Sequence, residues 1–297
     1  MTDLNLLHRL SDTPVLGVSM AGVSVLRLDL CGGLAPGNKT FKLAENLAEA
    51  NRLGVKRLLS FGGAWSNHLH ALAAVGAEGD IETIGIVRGE VSSTPSAMLV
   101  DALDWGMRLE HVSRQDYRRR RDPDYLRGLE QRYGPCLIIP EGGANAAGAA
   151  GCSRVAQLLP KTAEFGSVVV LPVGTGTTLA GVASALGQET VVLGISVLKG
   201  AYDLNDNVAH LLEKMSPGAA ADWRILHDYH CGGYAKVSPG LKAFILAFEA
   251  VHQIPLDPVY TGKALYGIHQ MLQRGDKLER CVFVHTGGLQ GRRGFAW

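Results

Sequence analysis

Two lysines lie three residues apart in the stretch GNKTFKL, which spans residues 37–43. Lys39 and Lys42 come at the predicted beginning of a helix, where positive charge opposes the helix dipole at a small cost in free energy. The spacing places both side chains on one face of that helix. The pattern therefore fits two interpretations: an ordinary basic helix start, or a reactive lysine with a second cation beside it.

The stretch LPVGTGTTLAG, residues 171–181, follows an apolar strand and leads into a helix. Its glycines let backbone N–H groups approach a ligand, its threonines offer hydroxyls, and the helix start attracts an anion. A nucleotide P-loop is excluded because GxxxxGK(S/T) is absent, and the dinucleotide fingerprint fails because Leu179 takes the third glycine position. We predict a site for one terminal phosphate, with a structural turn as the alternative. The residues concerned are Gly174, Thr175, Gly176, Thr177 and Thr178.

One phosphate site together with a candidate reactive lysine points to pyridoxal phosphate. The chain resembles the family of aminocyclopropane-carboxylate deaminases and D-cysteine desulfhydrases, which belong to the fold type II group related to the tryptophan synthase β subunit. Each matching stretch is weak alone, but together they follow the family order over most of the chain. They are GLAPGNKTFKL, SFGGAWSNH, GTGTTLAG, GGYA, DPVYTGKALYG and HTGG.

The resemblance implies roles for residues in the first two stretches. Lys39 falls on the lysine that binds the cofactor covalently, and its amine is the expected base at the substrate Cα. Lys42 is expected to pair with the cofactor phosphate, the alternative being a solvated helix lysine. Asn67 falls on the asparagine that hydrogen-bonds the ring hydroxyl. Ser66 is expected to face the substrate, although as a bare sequence feature it is a helix cap.

The resemblance also implies roles for two tyrosines. Tyr234 in GGYA and Tyr260 in DPVY fall on family positions where tyrosines approach substrate and cofactor. A neutral tyrosine can hydrogen-bond a leaving atom or pass a proton. Because an isolated tyrosine is more often half-buried packing, both assignments depend on the resemblance.

Thr261 and Thr286 lie at the positions that separate the two chemistries of the family. The ring-opening deaminases resemble YEGK and HLGG there, and the desulfhydrases resemble YTGK and HTGG, as in this chain. A carboxylate beside the pyridine nitrogen keeps it protonated and strengthens the electron sink, whereas a neutral hydroxyl gives a weaker sink. A weaker sink suffices to expel a thiolate from the β-carbon, so both threonines, like His68 in SNH, favour the desulfhydrase side.

Three positions depart from the family pattern. Phe41 stands where an arginine is usual, Trp65 replaces a common glutamine, and Leu28 replaces an expected acidic residue. Trp65 directly precedes Ser66 and is expected to narrow or reshape the substrate pocket. The departures leave the cofactor site intact and the particular amino-acid substrate open.

The elements that must position these residues alternate between short β-branched runs and helical patterns, which predicts parallel sheets covered by helices. Glycine-rich turns follow several strands, and ligands of such folds bind at the carboxyl ends of strands. Strands are predicted at 23–30, 57–61, 84–87, 108–112, 136–139, 168–172, 191–197, 224–227 and 281–285. Helices are predicted at 41–53, 66–75 and 95–105, between 112 and 136, after the phosphate turn, and from Ser238 and Pro239 onward.

The predicted fold class is α/β, with two domains that each hold a mostly parallel sheet covered by helices, as in the tryptophan synthase β-like fold type II enzymes. The larger domain, which binds pyridoxal phosphate, is predicted to comprise residues 1–42 and 146–297. The smaller domain is predicted to comprise residues 43–145.

Composition narrows the class of function. Of 297 residues, 46% are hydrophobic and 19% charged, which allows a substantial core, and a net charge of +1 gives no reason to expect nucleic acid. No apolar run reaches about 18 residues, so no membrane span is expected. Five widely spaced cysteines without CxxC, and no signal-peptide pattern, predict a cytoplasmic protein. His68 and His70 form an HxH pair with no third ligand in view, so no metal is predicted.

We predict a lyase that uses pyridoxal phosphate to eliminate the β-substituent of a small amino acid such as D-cysteine, with release of a 2-oxo acid, ammonia and sulfide. Alternatives on the same fold are ring opening of 1-aminocyclopropane-1-carboxylate and amino-acid racemisation or dehydration. An alternative from another class is a non-catalytic cofactor-binding regulatory protein. We expect a small amino-acid substrate and a homodimer.

Overall fold

The computed structural model describes residues 6–160, 167–215, 220–278 and 280–295. The strands in these ranges are β1 Leu7–Arg9, β2 Val23–Arg27, β3 Arg57–Gly62, β4 Glu82–Arg88, β5 Arg108–Val112, β6 Leu137–Ile139, β7 Val168–Val173, β8 Val191–Ser196, β9 Asp222–Leu226 and β10 Cys281–His285. The α-helices are α1 Asn38–Leu53, α2 Asn67–Gly79, α3 Ala97–Asp104, α4 Arg114–Arg118, α5 Pro123–Tyr133, α6 Ala146–Ser153, α7 Thr177–Ser184, α8 Leu204–Met215, α9 Pro239–His252 and α10 Thr261–Gln273.

The chain divides into two compact units. The first consists of Met1–Cys31 and Cys152–Leu289, and the second of Gly32–Gly151 and Gln290–Trp297. The first unit contains a sheet in the order β1-β2-β10-β7-β8-β9, in which all pairs are parallel except β1 with β2. Because β7 and β10 are parallel neighbours, the turns that follow them lie at the same edge of this sheet.

The second unit contains a fully parallel sheet in the order β5-β4-β3-β6 with helices on both faces. Successive side chains of a strand point to opposite faces. Leu58 on β3 accordingly packs with α1, α2 and α3, whereas Leu59 and Phe61 pack with α4 and α5. Such continuous burial explains why the strands read as apolar runs and not as alternating patterns.

The predicted α/β class, with parallel sheets flanked by helices, is confirmed. Gly54 ends α1 in a left-handed conformation with φ 67°, and Ser238 caps α9 with Pro239 in its first turn, both as predicted. The antiparallel strand β1 was not predicted, since three residues are too short to show a pattern.

Several predicted elements end or begin elsewhere, and two of them have a clear local cause. The strand predicted at 23–30 ends at Arg27 and turns into a 3₁₀-helix, Leu28–Leu30, because the Arg27 guanidinium bonds the nearby carboxylate of Asp29 at 2.8 and 2.6 Å. The helix predicted at 95–105 begins at Ala97. Ser96 is its cap and accepts from the Leu99 N–H, so Pro95 precedes the helix.

The predicted domain boundaries differ from the observed units at three segments. Residues 32–42, 146–151 and 290–297 lie in the second unit, whereas the sequence assigned them to the domain of 1–42 and 146–297. Packing explains the first difference, since Leu43 and Ala50 of α1 belong to the core around β3 and carry the helix start with them. Residues 1–5, 161–166, 216–219, 279 and 296–297 of the predicted domains lie outside the described ranges.

None of the helices in the described parts of the chain is both long enough and apolar enough to cross a membrane.

Replacing Ser238 by alanine should lower the free energy of unfolding by about 0.5–2 kcal/mol, because its hydroxyl oxygen accepts the N–H of Leu241 at the start of α9. Urea denaturation measures the change. Ser238→Asp retains a capping oxygen and should stay close to the wild type. Equal losses in the two variants would refute the capping role.

Candidate active site

Lys39 and Lys42 both lie in the first turns of α1, as their spacing predicts. Gly37 precedes the helix at φ 129°, a conformation that favours glycine. The half-buried Lys39 places its amine 3.1 Å from the side-chain oxygen of Asn38. Lys42 is buried, and its amine donates to the carbonyl of Gly142 at 3.1 Å. The two amines therefore have different surroundings: Lys39 keeps some access, and Lys42 is enclosed by protein.

His68 is a buried imidazole beside these two lysines. Its Nε2 lies 2.8 Å from Ser60 Oγ, and the Ser60 hydroxyl donates its proton to the carbonyl of Ile139 at 2.7 Å. Ser60 must then accept from His68, so the neutral ring carries its proton on Nε2. Burial, followed by the charges of Lys39 and Lys42, holds the pKa of His68 well below its usual value. Its Nδ1 is a buried acceptor with no partner among the described residues.

Ser66 and Asn67 lie where β3 delivers the chain into α2. Ser66 is the cap of this helix, and its oxygen accepts the Leu69 N–H at 3.2 Å. The Ser66 side chain packs directly on the backbone of Gly62, where a Cβ would lie 2.5 Å from Ser66 Oγ. Only glycine fits at position 62. The amide oxygen of Asn67 is buried and has no hydrogen-bond partner within the described part of the chain.

Trp65 packs against the end of the chain, which explains how a tryptophan is held beside Ser66. A Cβ at Gly294 would lie 3.1 Å from three ring atoms of Trp65. The neighbouring Arg293 holds this segment through a two-pronged ion pair with Asp101, whose carboxylate also accepts from His70 Nε2 at 2.8 Å. The tryptophan at position 65, where the family commonly has glutamine, therefore packs against a glycine, Gly294, which has no side chain in its way.

The glycine- and threonine-rich turn follows β7 and ends at α7, as predicted. Gly176 is the residue before the helix, at φ 79°, and a Cβ there would lie 2.6 Å from Val208 Cγ2. Both the left-handed backbone and the contact with α8 therefore require glycine. Gly174 packs against Tyr260, since a Cβ at position 174 would lie 3.2 Å from Cε1 of that ring.

The threonines of this turn are tied to one another and to α6. Thr175 and Thr177 place their hydroxyl oxygens 2.9 Å apart, and Thr177 is fully buried. The Thr178 hydroxyl lies 3.8 Å from the sulfur of Cys152. The first unit thus brings all five predicted phosphate residues into one turn at a helix N-terminus, where hydroxyls and N–H groups suit an anion.

Asp257 organises the start of α10. Its carboxylate accepts the N–H groups of Val259, Tyr260 and Thr261 at 2.8–3.1 Å and lies 3.1 Å from the Thr261 hydroxyl. Burial raises the pKa of Asp257, and the three backbone N–H groups and the charge of His285 act in the opposite direction. Thr261 is fully buried, and its oxygen also accepts the Asp257 N–H at 2.8 Å. The single hydroxyl proton of Thr261 is therefore engaged by Asp257, and donation to a cofactor nitrogen would require this bond to be exchanged.

Thr286 differs from Thr261 in this respect. It is buried, and no described residue forms a hydrogen bond with its hydroxyl.

The preceding residue, His285, lies 3.0 Å from the Asp29 carboxylate through Nδ1 and 2.8 Å from the Pro255 carbonyl through Nε2. The backbone N–H of Gly287 also points at this Nδ1 at 3.3 Å, so His285 is held from three sides. Burial raises the pKa of Asp29, but hydrogen bonds from Arg27 and His285 outweigh it and hold this pKa well below its usual value.

Tyr234 and Tyr260 come together in the first unit. Their ring centroids lie 6.2 Å apart in an edge-to-face arrangement at 72°. Tyr234 is 47% exposed at the tip of the turn 231–235, while Tyr260 is held by the Asp257 cap. Tyr260 therefore lies against the glycine- and threonine-rich turn through Gly174, and the more exposed Tyr234 packs on its ring.

The predicted site residues divide between the units. Lys39, Lys42, Ser66 and Asn67 lie in the second unit, and the phosphate turn, both tyrosines and both threonines lie in the first. The sequence did not single out Asp257, His285, Ser60 or the buried Lys263. Asp257 and Lys263 lie inside the stretch DPVYTGKALYG. A charged residue between apolar neighbours was the sequence signal that could have identified them as buried polar residues. No cluster of three potential metal ligands occurs among the described residues.

Comparison with known proteins adds a second line of findings. A family model described as "Pyridoxal-phosphate dependent enzyme" matches residues 10–287. A protein of Pyrococcus abyssi named "Putative 1-aminocyclopropane-1-carboxylate deaminase" is 30% identical over 280 residues, covering 91% of this chain and 85% of the relative. A D-cysteine desulfhydrase of Klebsiella pneumoniae is 31% identical over 275 residues, covering 85% and 82%. A solved structure of an "ACC deaminase homologue" superposes with a TM-score of 0.80 at 24% identity, covering 96% and 93%.

Gly176→Ala should destabilise the first unit by roughly 2–4 kcal/mol, the sum of a left-handed alanine and an overpacked contact with Val208. Gly200→Ala is the matched control, since Gly200 has φ 70° with no atom within 4 Å and carries only the backbone cost. Urea denaturation of both variants separates the two contributions. Adding Val208→Ala to Gly176→Ala should restore part of the loss, and no restoration would contradict the contact.

Proposed function

Because the chain belongs to the family of pyridoxal-phosphate dependent enzymes, we propose that it eliminates the β-substituent of a small amino acid, D-cysteine or a close analogue. The products are a 2-oxo acid, ammonia and sulfide. Its cofactor is pyridoxal phosphate. The observation that carries the choice of reaction is the pair Thr261 and Thr286, where neutral hydroxyls stand at both discriminating positions.

The donor set of this chain fits the cofactor. Asn67 carries a buried amide oxygen without a described partner, and such an atom costs about 1–3 kcal/mol unless a ligand satisfies it. A hydroxyl on the cofactor ring would supply that partner. The turn 174–178 offers hydroxyls and a helix N-terminus to a phosphate, and Lys39 offers an accessible amine. We assign the ring hydroxyl to Asn67, the phosphate to the turn with Lys42, and the covalent bond to Lys39.

When bound, the cofactor supplies an electron sink for the negative charge that develops at the substrate Cα. Lys39 would hold the cofactor through its amine, and the same amine would act as the base that takes the proton from the substrate Cα. Tyr260, fixed by the Asp257 cap, and Tyr234, packed edge-on against it, hold a proton at the leaving sulfur. Ser66 orients the substrate carboxylate with its hydroxyl proton, because its oxygen is already used by the Leu69 N–H.

Thr286 is the better placed of the two threonines to face the pyridine nitrogen. Its hydroxyl is not bonded by any described residue, whereas that of Thr261 is engaged by Asp257. A hydroxyl donor leaves the nitrogen unprotonated and the sink weak. A weak sink suits the expulsion of a thiolate, which is a good leaving group, better than the opening of an unactivated ring.

Ring opening of 1-aminocyclopropane-1-carboxylate is the second candidate function. The observation that favours it is the name of the Pyrococcus abyssi relative, which matches this chain about as well as the desulfhydrase does. The threonines at positions 261 and 286 oppose it, because the ring-opening deaminases resemble a glutamate and a leucine there. The homodimer predicted from the sequence stays a prediction that the mass of the protein in solution tests.

Borohydride reduction should fix the cofactor on Lys39, and peptide mapping should find the label there and not on Lys42. Lys42→Ala should keep Lys39 competent but bind the cofactor about ten- to a hundredfold more weakly, because a charge-assisted phosphate contact contributes roughly 1.5–3 kcal/mol. A label on Lys42, or unchanged cofactor affinity in a titration of Lys42→Ala, would refute these assignments.

Thr286→Val and Thr261→Val form a matched pair that removes one hydroxyl each. Thr286→Val should lower kcat for elimination from D-cysteine about tenfold or more and shift the cofactor absorbance, with little change in stability. Thr261→Val should mainly lower the free energy of unfolding, by about 1–2 kcal/mol, since it loses bonds to Asp257. The reverse pattern would return the role at the nitrogen to Thr261.

A further inference from the structure

Lys263 is a fully buried lysine that takes no part in the chemistry proposed above. Its amine, in the first turn of α10, donates to the carbonyl of Gly233 at 2.6 Å. No other described residue forms a hydrogen bond with it, and none of the described carboxylates lies within ion-pair distance. A cation withdrawn from water with one neutral acceptor is costly, so this contact calls for an explanation.

The carbonyl that Lys263 holds belongs to an unusual turn. Residues on either side of Tyr234 have positive φ: Cys231 at 52°, Gly232 at 94°, Gly233 at 113° and Ala235 at 55°. Such angles suit glycine but are disfavoured for cysteine and alanine. A turn with two non-glycine residues in this region persists only where its surroundings hold it.

The contacts of Gly233 show what holds the turn. Its carbonyl oxygen accepts twice, from the Lys263 amine and from the Lys236 N–H at 3.1 Å, which uses both lone pairs. Tyr234 itself is 47% exposed, and its described ring contact is the edge-to-face packing against Tyr260. The position of its hydroxyl therefore depends on the backbone of the turn.

We propose that Lys263 is a positioning residue for the reaction: its bond to the Gly233 carbonyl holds the turn 231–235 and so places the Tyr234 ring edge-on against Tyr260. This inference rests on the proposed function, because it assigns Lys263 an effect through Tyr234. According to this proposal, the buried amine of Lys263 contributes to the rate of the reaction and not to the stability of the fold.

The free energy of unfolding distinguishes a positioning role of Lys263 from a purely structural one. Burial lowers the pKa of Lys263 to about 8, with the nearby Cys231 and Asp257 acting in the opposite direction. This pKa lies below that of a lysine in the unfolded chain, which is about 10.5. At a pH between these two pKa values the folded protein binds fewer protons than the unfolded chain. Lys263 therefore makes the free energy of unfolding rise as the pH increases from about 8 to about 10.5. At pH 7 the charged amine opposes folding. Lys263→Met should therefore leave the urea midpoint at pH 7 unchanged or raise it, whereas a structural lysine would give a loss.

The experiment compares Lys263→Met with Lys277→Met, which alters an exposed lysine, in the cofactor-loaded enzyme. Lys263→Met should lower kcat on D-cysteine roughly ten- to a hundredfold, part of what a positioned proton donor contributes. KM, the bound cofactor and its absorbance should stay as in the wild type. Lys277→Met should change none of these quantities.

A double-mutant cycle with Tyr234→Phe completes the test. If Lys263 acts through Tyr234, the double variant should be no slower than the slower single variant, and additive losses would overturn the inference. Wild-type kcat in Lys263→Met, beside an impaired Tyr234→Phe, would overturn it and leave the proposed function standing. A Lys263→Met protein that is unstable or unfolded at pH 7 would also overturn it, since that is the structural outcome. Full activity of Tyr234→Phe would instead refute the assigned role of Tyr234.

Discussion

The buried carboxylate of Asp257 is the interaction on which the site of the first unit depends. It accepts three consecutive backbone N–H groups and the hydroxyl of Thr261, and so satisfies the donors at the start of α10 that have no partner within the helix. Bonds to a charged acceptor contribute roughly 1.5–3 kcal/mol each. They counter only part of the desolvation, so the pKa of Asp257 remains raised. Tyr260 and Lys263 flank this cap, and their positions follow from it.

The second unit fixes its polar groups by the same principle, with a chain of hydrogen bonds in place of a carboxylate. Ser60 donates to the Ile139 carbonyl and accepts from His68, which leaves the ring neutral beside two lysines. A charged imidazole there would repel both amines. The unit thus places a neutral imidazole, and not a third cation, beside Lys39 and Lys42.

Local signals were enough to predict most elements, whereas the roles of the candidate residues were taken mainly from the family resemblance and stay predictions. Ser66, Ser238 and Gly54 act as helix caps because their chemistry acts on adjacent backbone, and the strands at 108–112 and 281–285 were predicted to the residue. The family resemblance, carried by six stretches, is borne out by the match to the pyridoxal-phosphate dependent enzymes.

Contacts between distant residues could not be predicted. The bonds from Lys42 to Gly142 and from Lys263 to Gly233 join residues 100 and 30 positions apart, and no pattern around any of these residues signals the partner. The state of Thr261 shows the consequence. Its residue type suggested a hydroxyl free for the cofactor, and only the fold shows that Asp257 engages the proton.

The most direct measurement of the proposed elimination is a product balance for the purified, cofactor-loaded wild type with D-cysteine, L-cysteine and 1-aminocyclopropane-1-carboxylate, each at the same concentration. Sulfide, ammonia and 2-oxo acid are quantified separately. A neutral donor at the pyridine nitrogen predicts equal amounts of all three products from D-cysteine and a much slower release of ammonia from the cyclopropane. Faster opening of the cyclopropane than release of sulfide would contradict the proposed reaction.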